Sequence, residues 1–300
     1  MQMLGALRRR GGFASLATEA DIFVAYRLFL GRDPDATGLA VYRSAVGRGL
    51  TLERLCSAFL ASEEYRSKAD GEPDRSLSDY RGQWNDLAQR DPMTAILTPG
   101  DGSRIGAADF DDEGRRDAAA LRRFVTPESV VLDVGCGLGR IERHLAAHCR
   151  HVYAVDVSDV MIAKARQWCA EIPNLTFVVH DAARLDRLAA GPFDFAWSFL
   201  VLQHMEYEDA FLMLSALSTL LKPGARAYLQ FPYLLSGFYG EAFARQAVRR
   251  DRWPIRVRAY TAETARFFVE RAGLEIDELA IGLDGIGSEH EIGVICRRPA

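Results

Sequence analysis

The feature that most constrains this chain begins at Val130. From there, short and nearly uninterrupted apolar runs alternate with segments of helical period. The runs are residues 130–134, 152–157, 175–179, 193–201 and 225–231. Helical stretches lie between them at residues 141–147, 160–170, 185–189 and 209–221. A strand that is apolar on both faces must be covered on both faces, and helices between successive parallel strands supply that cover. A last helix from Thr261 ends at Gly273. Two more strand-like runs, 274–283 and 290–296, are joined by Asp284-Gly285-Ile286-Gly287. Gly285 suits a hairpin turn, so the sheet is expected to finish with an antiparallel pair. The predicted fold class is α/β: a doubly wound, mostly parallel sheet of seven strands.

Upstream the period changes. Between Asp21 and Lys68 the apolar residues fall at helical spacing, as in Ile22, Tyr26 and Phe29, then Leu52, Leu55 and Phe59. Pro34 and the glycines 31, 38, 47 and 49 break the pattern, and Thr51 and Ser62 suit helix N-caps. This predicts a small all-α domain over residues 19–68. A polar stretch with Gly71 and Pro73 marks a linker over residues 69–79. Residues 80–126 then form a helical lid or pre-domain segment, with a helix from about Glu113 to Phe124. The α/β domain follows over residues 127–300, with an inserted cap at 232–259.

Composition removes several function classes. A net charge of -4 gives no global field for nucleic acid, and no nucleic-acid partner is expected. The five cysteines are widely spaced with no C-x-x-C pair, which reads as reduced thiols in a cytoplasmic protein without a zinc site. The arginines 8–10 are followed by Gly11, Gly12 and Ser15 rather than an apolar run, so no signal peptide is read. They stand either as a frayed basic terminus or as a peripheral membrane contact. No run approaches the length of a transmembrane helix.

The end of the first strand carries Asp133-Val134-Gly135-Cys136-Gly137-Leu138-Gly139-Arg140. An open parallel sheet binds ligands at the carboxyl ends of its strands, and glycines there let backbone approach a ligand closely. Asp156 closes the second strand, where an acid can accept hydrogen bonds from ribose hydroxyls. A dinucleotide fingerprint needs its third glycine at position 140, which is arginine. The acid two residues before the first glycine suits an ammonium rather than a pyrophosphate.

From about Gln83 onward the chain resembles the class I S-adenosylmethionine-dependent methyltransferases. The glycine loop, Val155-Asp156-Val157-Ser158, His180-Asp181-Ala182, the block from Phe193 to Met205, Leu221-Lys222-Pro223-Gly224 and Ala272-Gly273 all carry the likeness. The resemblance implies S-adenosylmethionine as cofactor. It gives the methionine end to Asp133 and to Gly135, Cys136, Gly137 and Gly139. Asp156 then takes the ribose, and Asp181 with Ala182 the adenine. Val157, Met161 and Phe199 would lie against the cofactor, although core packing accounts equally for Val157 and Met161. The block from Asp91 to Thr98 resembles a segment that folds over the cofactor in some members, but has Met93 and Ala95 where aromatics are common.

In this fold the end of the fourth strand faces the transferred methyl, so Ser198, Gln203 and His204 are the residues to weigh. Neutral histidine is a competent base for a hydroxyl proton. A structural role for His204 at a strand–helix junction stays open beside it. Gln203 is read as a substrate contact. Asp181 is committed to adenine and Asp194 lies at the far end of its strand, so a metal-independent reaction is expected. Tyr233, Trp253 and Arg256 in the cap are candidate acceptor contacts, since arginines among aromatics suit a sugar or an anionic acceptor. A solvated basic helix is the plainer reading of that segment. Residues 19–66, with Ala25-Tyr26-Arg27 and Gly31-Arg32-Asp33-Pro34-Asp35, closely resemble a bacterial helical domain of unknown function. That domain recurs in glycosyltransferases and surface-polysaccharide proteins. The expectation is therefore an O-methyltransferase for a glycan, nucleotide-sugar or polar small molecule, open to peripheral association with glycan-assembly machinery. N- or C-methylation, or a non-catalytic adaptor, are the alternatives.

Overall fold

A computed structural model describes residues 15–62, 64–65, 80–97, 103–249, 257–283 and 288–300. The chain divides into two compact units, Met1–Ser78 and Asp79–Ala300. Arg8, Arg9, Arg10 and the 284–287 turn lie outside the described residues.

Three helices organise the first unit: α1 (Glu19–Leu30), α2 (Ala36–Gly47) and α3 (Leu52–Leu60). Each begins at a side-chain cap, Thr18, Asp35 and Thr51, which satisfies an N–H that the first turn leaves unpaired. Their buried faces meet around Ile22, Tyr26, Leu55 and Phe59. The polar motif after α1 is used internally. Arg32 donates two bonds of 2.7 Å to the Glu64 carboxylate and lies 5.0 Å over the Tyr26 ring.

The second unit opens with α4 (Tyr80–Arg90), α5 (Pro92–Ile96) and α6 (Ala107–Leu121). Asp91 caps α5, with Pro92 in the first turn where no N–H is needed. The helix predicted from Glu113 starts instead at Ala107. The acidic run Asp111-Asp112-Glu113 hides its period, yet Phe110, Gly114, Ala118 and Leu121 form one buried stripe. Gly114 lets α6 come against the glycine-loop segment: a Cβ there would lie 2.3 Å from the Arg140 carbonyl oxygen.

The seven-stranded sheet has the order β3-β2-β1-β4-β5-β7-β6. Its strands are β1 (Val130–Val134), β2 (His151–Asp156), β3 (Leu175–Val179), β4 (Phe193–Ser198), β5 (Leu221–Pro232), β6 (Glu275–Ile281) and β7 (Glu291–Arg297). Strands β1 to β5 run parallel, and β7 pairs antiparallel with both β5 and β6. The expected antiparallel ending is therefore present. The connecting helices are α7 (Glu142–Leu145), α8 (Asp159–Trp168), α9 (Tyr207–Leu220), α10 (Gly237–Arg249) and α11 (Ala262–Arg271). Alternate residues of β1 feed two cores. Leu132 and Val134 join the face under α9 and α11, while Val131 joins Phe195 and Trp197 under α6 and α7.

Other boundaries also differ from the sequence expectation. The apolar run 193–201 stops pairing at Ser198, because Leu200 turns the chain at φ +58° and its N–H donates to Gln230 Oε1 at 3.0 Å. Strand β5 begins at Leu221 rather than Ala225. The helix read at 185–189 is a 3-10 segment, Ala182–Arg187, capped by Asp181.

Candidate active site

The carboxyl ends of β1 to β4 open on a shared cavity, the place where an open parallel sheet binds its ligand. Gly135 and Gly137 line it from the β1 loop, and Asp156 with Val157 from the end of β2. Met161 of α8, Asp181 and Ala182 after β3, and Phe199 and His204 after β4 complete the residues expected there.

Gly135 and Gly137 hold φ of +86° and +53°, a region that favours glycine. A Cβ at Gly135 would meet Val201 at 2.1 Å, and one at Gly137 would meet Ile96 at 2.6 Å. The loop is thus bare backbone at the cavity wall. Asp156 is fixed from behind: Gly137 N–H donates to Oδ2 and Ser158 N–H to Oδ1, each at 2.9 Å. Surrounding protein pushes this carboxyl above its usual range, against those two bonds. A carboxylate accepts about four hydrogen bonds, so capacity remains on the cavity side for a diol. The bare loop and the held acid fit an S-adenosyl nucleoside.

Other expected residues lie elsewhere. Cys136 and Gly139 are on the back of the loop: Cys136 is buried, and a Cβ at Gly139 would press on Phe177 and the Cys169 sulfur. Asp133 requires a correction. Strand alternation turns it to the Trp197 face, under α6 and α7, rather than towards the methionine end of the cavity. There its buried carboxyl faces Glu142, the first residue of α7. Burial, then the Glu142 charge, pushes Asp133 well above the carboxylate range, and burial raises Glu142. Both groups therefore favour the protonated form more than a solvated carboxyl does. Tyr233 packs beside the main core, its N–H donating to His290 O at 2.7 Å, and does not line the cavity. Gln203 is buried behind His204 rather than at the cavity surface. Trp253 and Arg256 lie outside the described residues.

Helix α4 supplies what motif reading did not name. Tyr80 and Trp84 line the cavity, as does Ile96 of α5. The helix is tied down at its start and at its middle. Tyr80 Oη donates to Asp209 Oδ2 at 2.6 Å and accepts from Glu206 N at 2.9 Å. Asn85 Oδ1 accepts from Ser158 Oγ at 2.6 Å, and its Nδ2 donates to Asp159 Oδ1 at 2.8 Å. Between these ties, Trp84 meets the His204 ring edge-on at 5.1 Å. A lone tryptophan in the polar run Arg81-Gly82-Gln83-Trp84-Asn85-Asp86 was the available signal.

Asp194, at the opposite end of β4, bonds Val130 N and Lys222 Nζ at 2.9 and 2.6 Å. Among the described residues no group of three or more His, Cys, Asp and Glu is arranged to hold a metal ion. Nor is any described helix long and apolar enough to cross a membrane.

Residues 131–224 match the family model described as a methyltransferase domain. The chain's fold is that of magnesium protoporphyrin IX methyltransferase from Synechocystis with bound SAH, at TM-score 0.55 and 22% identity, covering 75% of this chain and 100% of that one. In sequence, 98 residues are 34% identical to magnesium-protoporphyrin O-methyltransferase of Synechocystis, 31% of this chain and 41% of that protein. Phosphoethanolamine N-methyltransferase 1 of Triticum aestivum is 27% identical over 126 residues, 41% of this chain and 25% of that protein. The matched stretches thus span well under two thirds of these curated relatives. The matched region begins in β1, so α4 and α5, which line the cavity, precede it.

Proposed function

We propose that the protein is an S-adenosylmethionine-dependent O-methyltransferase acting on a small polar acceptor, with a glycan or nucleotide-sugar as the favoured class. The observation that carries this reading is one cavity shared by Asp156, the bare glycine loop and His204. Strand order separates their roles. β2 and β4 flank β1, so their ends stand about 10 Å apart, two strand spacings. Asp156 and Asp181 serve the nucleoside on one side, and His204 serves the acceptor on the other.

When bound, S-adenosylmethionine supplies a methyl group already activated on a sulfonium. The chain's own residues have three tasks. Gly135 and Gly137 bring backbone against the ligand, and Asp156 fixes its ribose. Tyr80, Trp84 and Ile96 keep water from the cavity. His204 takes the proton that a hydroxyl acceptor loses, a role worth about 10² to 10⁴ in rate. The glycan preference rests on the likeness of residues 19–66 to a domain found with glycosyltransferases, an association rather than a mechanism. An amine acceptor, the alternative, is nucleophilic as its free base and needs no histidine.

Titration calorimetry with S-adenosylmethionine tests the cofactor: absence of binding by folded protein removes the enzyme reading and leaves the adaptor. Transfer of labelled methyl to a panel of sugars, nucleotide-sugars and amines then tests the acceptor. Labelling confined to amines would overturn the O-methyl assignment.

A further inference from the structure

Helix α9 starts two residues after His204, and another helix takes part in capping it. Glu206 is the N-cap residue, and its carboxylate is occupied by Arg258, whose Nε donates to Oε2 at 3.1 Å. Glu206 N–H instead donates to Tyr80 Oη at 2.9 Å, and Tyr80 Oη donates to Asp209 Oδ2 at 2.6 Å. A backbone N–H only donates and a phenol has one proton, so the direction of these two bonds is fixed. Asp209 is the third residue of α9, the position from which an acidic side chain reaches back to the N-cap N–H. Helix α1 makes that bond directly, with Asp21 Oδ2 accepting from Thr18 N at 2.7 Å. In α9 a tyrosine hydroxyl stands between the two partners.

Tyr80 lies on α4 one turn before Trp84, so both share a face, and both line the cavity. Trp84 in turn meets the His204 ring. The same roof packs on the nucleoside side. There Trp84, Ala88 and Ile96 cluster with Leu138 of the glycine loop and Met161 of α8, and Asn85 bonds Ser158 and Asp159. One side of the roof is thus held largely by apolar packing, whereas Tyr80 holds α9 through a polar hydroxyl.

We infer that Tyr80 is a latch: its hydroxyl, inserted into the first turn of α9, holds the roof shut over the end of the cavity that the acceptor enters. This rests on the cofactor reading above. When the hydroxyl withdraws, Asp209 closes on Glu206 N–H, as Asp21 does on Thr18. Release therefore leaves α9 capped, and neither the N–H nor the carboxylate is stranded. Two discrete arrangements of the same atoms make the roof a two-state element rather than a loose cover. It turns on its packed side, over Leu138 and Met161, and parts at Trp84 and His204.

The test uses the full chain and needs no acceptor. Hydrogen exchange at the Glu206 amide reads the cap. Tyr80→Phe leaves Asp209 to accept from that amide, and Asp209→Ala leaves Tyr80, so each single variant should stay within about three-fold of the parent. The double variant leaves neither, and exchange there should quicken at least about ten-fold, beyond the product of the single effects. If Tyr80→Phe alone exchanged as fast as the double variant, Asp209 could not take over and the second state would be refuted. Stopped-flow binding of S-adenosylhomocysteine reads the latch. In Tyr80→Phe, association and dissociation should both quicken about 2- to 10-fold, the worth of one net hydrogen bond, with affinity little changed. A rise confined to dissociation would make Tyr80 a ligand contact and overturn the latch, as would unchanged rates. Failure of the parent to bind S-adenosylhomocysteine would remove the enzyme reading and the latch's purpose with it, while the exchange pattern alone decides whether the two caps exist.

Discussion

Two stretches of this chain look alike as text and behave differently in space. Gly31-Arg32-Asp33-Pro34-Asp35 in the helical unit and Asp133-Val134-Gly135-Cys136-Gly137 in the α/β unit are both dense in glycine and charge. In the first, the side chains spend their bonds on one another. Arg27 pairs with Asp33, Arg32 with Glu64 and Asp35, and Asp35 caps α2. In the second, the glycines present bare backbone to a cavity, and Asp156 is held only from behind. A motif becomes a site when the sheet makes a concavity and leaves bonding capacity facing it.

The sharpest way to break this contrast is Gly135→Val. The position combines φ +86° with a 2.1 Å approach to Val201, so both backbone and wall must move. Cofactor affinity by calorimetry is expected to fall at least about 100-fold, since strain of about 1–3 kcal/mol adds to the lost space. The circular dichroism spectrum should stay that of the parent. Binding within a few-fold of the parent would mean the loop is a tight turn and nothing more.

Asp156→Asn comes next. Gly137 N–H and Ser158 N–H both point at its carboxylate, and an amide nitrogen cannot accept either bond. Losing hydrogen bonds to a charged acceptor costs about 1.5–3 kcal/mol, or roughly 10- to 150-fold in affinity for S-adenosylhomocysteine. An equal loss for a fragment without the ribose would assign Asp156 to the loop alone.

These two residues were legible in the sequence because strand period, glycine spacing and the acid at the next strand end are all local signals. The sheet was legible for the same reason. Asp133 was misplaced because its direction depends on strand alternation against α6 and α7, and Glu142 lies in the next element. The end of β4 was overrun since Phe199-Leu200-Val201-Leu202 continues an apolar run through a turn that only Leu200 and Gln230 define. Gln203 and His204 stood out, but the bond of Gln203 to Tyr239, on a helix from another connection, had no sequence signal. Tyr80 and Trp84 were visible as helix residues, and only the folded roof gives them the cavity.

Glu142→Gln sharpens the contrast from the other side, beneath the loop. Asp133 and Glu142 are buried carboxyls held above their ordinary range, chiefly by burial. A carboxyl whose pKa is raised on folding binds its proton more tightly in the native state. Its contribution to stability is therefore present at low pH and falls as pH rises from the ordinary carboxylate range towards the raised value. The amide introduced by this substitution can donate to Asp133 and remove that penalty. At neutral pH the variant is expected to gain about 1 kcal/mol, as replacing buried charge often does. Chemical denaturation at several pH values should show a flatter slope than the parent over that window. A loss of stability at neutral pH would show that burial of the Glu142 carboxyl carries no penalty there.

The smallest expected effect falls in the helical unit, where the motif is spent on structure. Arg32→Ala removes a two-pronged bond to Glu64 and the stacking on Tyr26, but the side chain is 37% exposed and water replaces much of what is lost. About 1 kcal/mol is expected, which amounts to roughly five-fold faster hydrogen exchange at amides of α1 and α3. Amides of β1, β2 and β4 should exchange as in the parent, and cofactor affinity should not move, because the bonds of Arg32 go to Asp33, Asp35 and Glu64 of its own unit. If exchange in those strands rose by the same factor, the motif would be supporting the site rather than its own helices. The contrast between a spent motif and a facing one would then fail at its weaker end.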